Sequence, residues 1–174
     1  AALLLFPIAA SALTAEEQQR FADGLFSRGL HEMALTEYRR AIEQFPDYPD
    51  RDVLLFRAAE CSRKMGQGAQ AMDYLRKIVT AGKAGPYLDR SRLRLSEQHV
   101  QAGQVKEAIP MLEAILAANP APETAAPALY YLGLARVKNG ENEVGRRGFA
   151  GILAQHPESS FAPRAALELA RLLN

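Results

Sequence analysis

From Glu16 onward, apolar and polar positions follow one another at steps of three and four, the rhythm of helices with one buried face. The stretch FSRGLHEMALTEYRRAIEQFPDYP, residues 26–49, sets Ala34, Tyr38 and Ala41 on one helical face, with Gly29 before the run and Pro46 after it. The arrangement then returns. Gly29, Gly66, Gly103 and Gly140 are spaced 37 apart. Five residues after each glycine stand Ala34, Ala71, Ala108 and Gly145, then Tyr38, Leu75, Leu112 and Phe149, then Ala41, Ile78, Ile115 and Ile152. Pro46, Lys83, Pro120 and Pro157 close the units. Ahead of each glycine lies a bulky or apolar residue, Phe21, Ala58, Leu95 or Leu132, followed by a small one, Ala22, Ala59, Ser96 or Gly133.

Each column has a physical use. The small residues let two helices approach closely. Glycine ends the first helix of a unit, because it enters the left-handed backbone conformation without steric cost. The Tyr/Leu/Phe and Ile columns make the buried stripe of the second helix, and proline stops it. Helices are predicted at about 16–28, 31–45, 52–65, 68–81, 88–102, 105–118, 125–139, 142–155 and 162–173.

This pattern resembles the tetratricopeptide repeat, or TPR. Leu129, Leu132 and Gly133 match the first-helix part of its signature, and Ala34, Tyr38, Ala41 and Pro46 the second-helix part. The resemblance implies an all-α, right-handed α-solenoid of antiparallel helix pairs. Residues 16–174 form the repeat domain, with units at about 16–51, 52–87, 88–124 and 125–161 and a terminal helix at 162–174. The signature's leading aromatic is Gln18, Leu55, Arg92 and Leu129 here, and its tyrosine is Leu25, Ser62, His99 and Arg136. Proline-bearing insertions such as DYPDRD, PAPETA and PESSFAP are similar to those of bacterial envelope members of the CpoB and BamD type. No cysteine stands near the N-terminal junction, which speaks against lipidation there.

Residues 1–15, AALLLFPIAASALTA, differ from the rest: an apolar run followed by Ala10-Ser11-Ala12, an A-x-A arrangement. This reads as the tail of a secretory signal peptide, with cleavage after Ala12 or Ala15. The other readings are an apolar helix on the core and part of a membrane anchor. Export implies a periplasmic or secreted protein, and retention of the segment a membrane-associated one.

Composition adds little chemistry. The 174 residues carry a formal net charge of +1, so no basic surface for nucleic acid is expected. Cys61 is the sole cysteine, which excludes an internal disulfide and a multi-cysteine metal site and suits a buried thiol. His31, His99 and His156 fall in different units, and His99 is expected in the core. Gly66-Gln67-Gly68 fits an inter-helix turn and matches no phosphate-binding loop. No catalytic, cofactor or metal constellation is found, and the chain is expected not to be an enzyme.

One column suggests binding. Arg20, Arg57 and Arg94 recur at the repeat period, each with an acid three residues on, Asp23, Glu60 and Glu97; in the fourth unit Tyr131 and Leu134 replace them. Local ion pairs are the plain explanation. The resemblance adds another, since first helices line the concave groove of TPR solenoids. There Phe56, Arg57, Glu60, Arg90, Leu93, Arg94, Glu97, Tyr130, Tyr131 and Leu134 are the candidate partner-binding residues, with the two tyrosines and Leu134 an apolar contact patch and Arg136 off that surface. The function expected is a protein–protein interaction scaffold or adaptor of the bacterial cell envelope, holding a protein or peptide segment. The alternatives are a structural subunit packed permanently in a larger membrane-associated complex and the TPR part of a larger enzyme.

Overall fold

The computed structural model describes residues 13–173, and among them it is all-α, with nine helices and no strand. They are α1 (Ala15–Ser27), α2 (His31–Gln44), α3 (Arg51–Lys64), α4 (Gly68–Ala81), α5 (Pro86–Gln101), α6 (Val105–Ala117), α7 (Pro122–Lys138), α8 (Asn142–Gln155) and α9 (Ala162–Leu172). The expectation for residues 1–12 lies outside the described residues. First helices of successive pairs end at Ser27, Lys64, Gln101 and Lys138, and second helices begin at His31, Gly68, Val105 and Asn142, each position 37 after the last.

The four turns within pairs are built alike. Gly29, Gly66, Gly103 and Gly140 have φ of 77°, 74°, 76° and 86°. The residue after each glycine donates its backbone N–H to a carbonyl five residues back, at 3.0, 2.8, 2.8 and 2.8 Å, as in Leu30 to Leu25 and Gln67 to Ser62. Each glycine also donates three residues back, and together these bonds form the Schellman motif, which satisfies helix-end carbonyls. A Cβ at such a φ clashes with its own backbone, so Gly66→Ala is expected to lower stability by about 1–2 kcal/mol. Urea unfolding of the variant beside the parent measures this.

Helix starts differ from pair to pair. Thr14 caps α1 with a reciprocal box: its Oγ1 accepts from Glu17 N at 3.2 Å, and Glu17 Oε2 accepts from Thr14 N at 2.9 Å. Prolines stand in the first turns of α5, α7 and α9. Two of them, Pro86 and Pro122, explain why α5 and α7 begin before the predicted 88 and 125. A first-turn proline forfeits no helical hydrogen bond and arrives with helical φ.

The chain divides into two compact units, with the boundary inside α4 after Ala71. In the first, α2 packs on both α1 and α3. Its core includes Ala22, Ala34, Leu35, Tyr38, Ala41 and Leu54, and buried Gln18 is satisfied by donating from Nε2 to Glu37 Oε2 at 3.2 Å. In the second, α5 meets α6 and α7, α6 meets α7, and α8 lies against α7 and α9. Its core joins Leu112, Ile115, Tyr130, Tyr131, Phe149 and Ile152. The two stripe columns of the second helices are buried in every pair. The bulky first-helix column is not uniform: Leu95 is 1% exposed, but Phe21 is 52%. The buried stripe of α1 is Ala15, Gln18, Ala22 and Leu25, and Phe21 stands about 100° around the helix from it.

Candidate functional site

In the first unit the charged column makes a small cluster across three helices. Asp23 on α1 accepts a hydrogen bond from the Tyr38 hydroxyl on α2 at 2.5 Å. Arg57 on α3 reaches the same carboxylate at 3.7 Å, and its guanidinium lies 5.3 Å from the Phe26 ring centroid. Glu60 is bidentate with Arg63, at 2.8 and 3.3 Å. The local pairing expected between Arg20 and Asp23 thus gives way to one between neighbouring helices. Arg20 is exposed on α1, and Phe56 is half-buried on α3.

The second unit repeats the motif with other parts. Arg94 and Glu97 form the expected pair on α5, at 3.4 Å. Glu97 Oε1 also accepts from the Tyr131 hydroxyl on α7, at 2.6 Å. Asp23 and Glu97 stand two repeat periods apart, and each holds a tyrosine of another helix. Arg90 is exposed near the start of α5, and Leu93 is half-buried against the core cluster.

The expected open aromatic patch is corrected here. Tyr130 and Tyr131 are 9% and 8% exposed, and Leu134 is half-buried against the same cluster. The cause is Phe161, just ahead of α9, whose ring centroid lies 5.3 Å from that of Tyr130 and 6.0 Å from that of Tyr131. Phe149 adds a third aromatic contact, 5.9 Å from Tyr130. Arg136 is no neutral surface site either, since it bridges Glu113 and Glu141, the latter at 2.8 Å.

Reactive groups do not converge. Among the described residues, no group of three His, Cys, Asp or Glu side chains is placed to hold a metal ion. His31 lies against the Phe26 ring at 5.2 Å. His99, expected in the core, is half-buried at the end of α5, where Nδ1 is 2.8 Å from Gln104 Oε1 in the turn. Cys61 is buried, and burial pushes its thiol up to about 11, so it is not a thiolate nucleophile near neutral pH. No helix among the described residues is long and apolar enough to cross a membrane.

Burial, then the hydrogen bond to a carboxylate, raises Tyr38 and Tyr131 well above the ordinary tyrosine range. A group raised on folding contributes stability below its unfolded value and loses it as pH climbs toward the folded one. The chain is therefore expected to lose stability progressively above about pH 9, where Cys61 and then the tyrosines begin to ionise in the unfolded state. Tyr38→Phe and Tyr131→Phe should each flatten that decline in denaturant titrations run from pH 8 to 11.

The tetratricopeptide repeat model matches residues 53–81 and 127–159. No curated protein matches the sequence significantly. Among solved structures, a MamA RS-1 double mutant matches with a TM-score of 0.73 at 22% identity, over 91% of this chain and 82% of that one. MamA from Desulfovibrio magneticus RS-1, residues 41 to its end, gives 0.67 at 20% identity, over 91% and 93%. PilW, a widely conserved type IV pilus biogenesis factor, gives 0.64 at 20% identity, over 92% and 68%. At such identities the likeness is one of fold.

Proposed function

From the premise that this chain carries tetratricopeptide repeats, we propose that it is a non-enzymatic scaffold that binds a segment of another protein on its first helices. The carrying observation is that Arg20 on α1, half-buried Arg57 on α3 and Arg94 on α5 recur at the repeat period, with Arg90 one turn before Arg94, and that Arg20, Arg90 and Arg94 are exposed. Asp23 and Glu97 are held in place from below by tyrosine hydroxyls. Within each unit the carboxylate is thus fixed before a partner arrives, which lowers the entropy lost on binding. Arginine beside half-buried Phe56 and Leu93 is a side-chain mixture common among binding anchors.

The cell envelope is the proposed location, supported by the apolar run that ends in Ala10-Ser11-Ala12. Intact-mass measurement of the protein from its source cell tests this, with a mature start at Leu13 or Glu16 expected. A cytosolic form retaining Ala1–Ala15 would contradict it. For the scaffold, the test is crosslinking and capture from the envelope fraction. A protein retained by the parent and lost with Arg20→Glu/Arg90→Glu is expected. Equal retention by both sinks the assignment of this surface.

A further inference from the structure

We infer that a notch at the start of α7 takes an arginine side chain from a segment of a partner protein. The inference rests on the reading of the chain as a binding module and assigns partner chemistry to a surface separate from Arg20 and Arg90. The notch measures about 540 Å³, within the range of sites that hold a small ligand, about 300–1,000 Å³. One wall is the first two turns of α7, and the other is the connection from α8 to α9. Pro122, Pro127, Pro157 and Phe161 make its apolar surface, and Glu123 and Glu158 its charged one.

Negative charge gathers here without a counterweight. Both carboxylates are exposed, and neither has an ion-pair partner among the described residues. His156, the one lining side chain that can carry positive charge, pairs with neither. Arg164 on α9 lies over the Phe161 ring at 5.2 Å and pairs with neither. Glu123 stands in the first turn of α7, where the helix dipole suits an acid. Glu158 has no such role: it lies in the loop, and no side chain caps α9. A third acceptor joins them. Pro127 has no backbone N–H, so the carbonyl of Glu123, four residues back, receives no helical bond from it. The repeat does not call for this combination. The column of Glu123 holds Pro49, Pro86 and Ser160, and that of Glu158 holds Asp47, Ala84 and Ala121. Both positions are acidic in the fourth pair alone.

Three acceptors beside an apolar wall call for several donors on an apolar stem. A guanidinium carries five N–H groups in a planar fork and is weakly hydrated, whereas an ammonium carries three and holds its water tightly. The methylenes of the stem can lie along the prolines. Arginine thus matches the notch better than lysine, and the unpaired acids repel an acidic segment.

The test is an NMR titration of the 174-residue chain with a capped peptide that sets one arginine between two leucines. Versions with lysine, or with citrulline as the neutral isostere, are titrated beside it. The amide signals of Glu123, Thr124, His156 and Glu158 should move with the arginine peptide. Citrulline should weaken binding about fivefold or more, and lysine by less. Glu123→Gln/Glu158→Gln should bring the arginine peptide to the citrulline level, while amide signals away from the notch keep their positions. Absence of shifts at the notch overturns the inference, as does equal binding of the arginine and citrulline peptides. So does lysine binding as tightly as arginine, or an affinity that the double variant leaves unchanged. So do shifts centred on Asp23 or Glu97, which would put the basic residue among the first-helix charges instead. In each of those cases, capture of a partner that depends on Arg20 and Arg90 leaves the scaffold reading standing.

Discussion

Tyr130→Ala combined with Tyr131→Ala is expected to remove more than about 4 kcal/mol of stability, within the range known for deleting buried aromatics. The double variant should lose its cooperative transition in urea before any binding defect can be read. Both rings lie in one cluster with Phe149 and Phe161, so the cavity left cannot be filled from one side. The hydroxyl of Tyr131 has a separate share. Tyr131→Phe keeps the ring and removes only the bond to Glu97, for an expected loss of about 1.5–3 kcal/mol, the range for hydrogen bonds to charged groups. A double variant that stays folded with a parent-like midpoint would return the tyrosines to the surface.

The second large effect is expected where α7 and α8 cross. A Cβ built on Gly145 would overlap the Val137 side chain and lie 2.8 Å from the Gly133 carbonyl oxygen, a backbone atom that cannot swing away. Gly145→Val should therefore cost about 3 kcal/mol, at the upper end of ordinary overpacking. Gly148, three residues on in the same helix, is the contrast. A Cβ there comes no closer than 3.7 Å to its neighbours, so Gly148→Ala should be neutral or stabilising by up to about 1 kcal/mol. Thermal unfolding of the two variants side by side tells crossing-point contact from general helix propensity.

Most of the fold was legible because its causes are local and repeated. A glycine at the end of a helix, a small residue at a crossing and an apolar stripe at steps of three and four each act within a dozen residues. Repetition at 37 turns weak signals into a strong one. The charged column was also legible as a column, and its Arg94–Glu97 pair with it, but its contacts between helices were not. Asp23 is held by Tyr38 and Arg57, which come from other helices, so spacing along one helix could not identify them. The aromatic patch failed for the same reason. Whether Tyr130 faces a partner or a neighbour is decided by Phe161, a loop residue that no helical period relates to it. Repeat columns report which face is shared, not what finally covers it.

Surface charge as the binding determinant and buried aromatics as the core can be separated in one experiment: quantitative capture of a single partner protein by the parent chain, Arg20→Glu/Arg90→Glu and Tyr131→Phe, with melting temperatures measured on the same samples. The charge variant should retain its melting temperature and lose about tenfold or more in capture. Tyr131→Phe should melt earlier and lose far less capture than the charge variant, since it frees Glu97 but leaves the arginines in place. The reverse pattern, with capture following Tyr131 and indifferent to Arg20 and Arg90, would contradict the account.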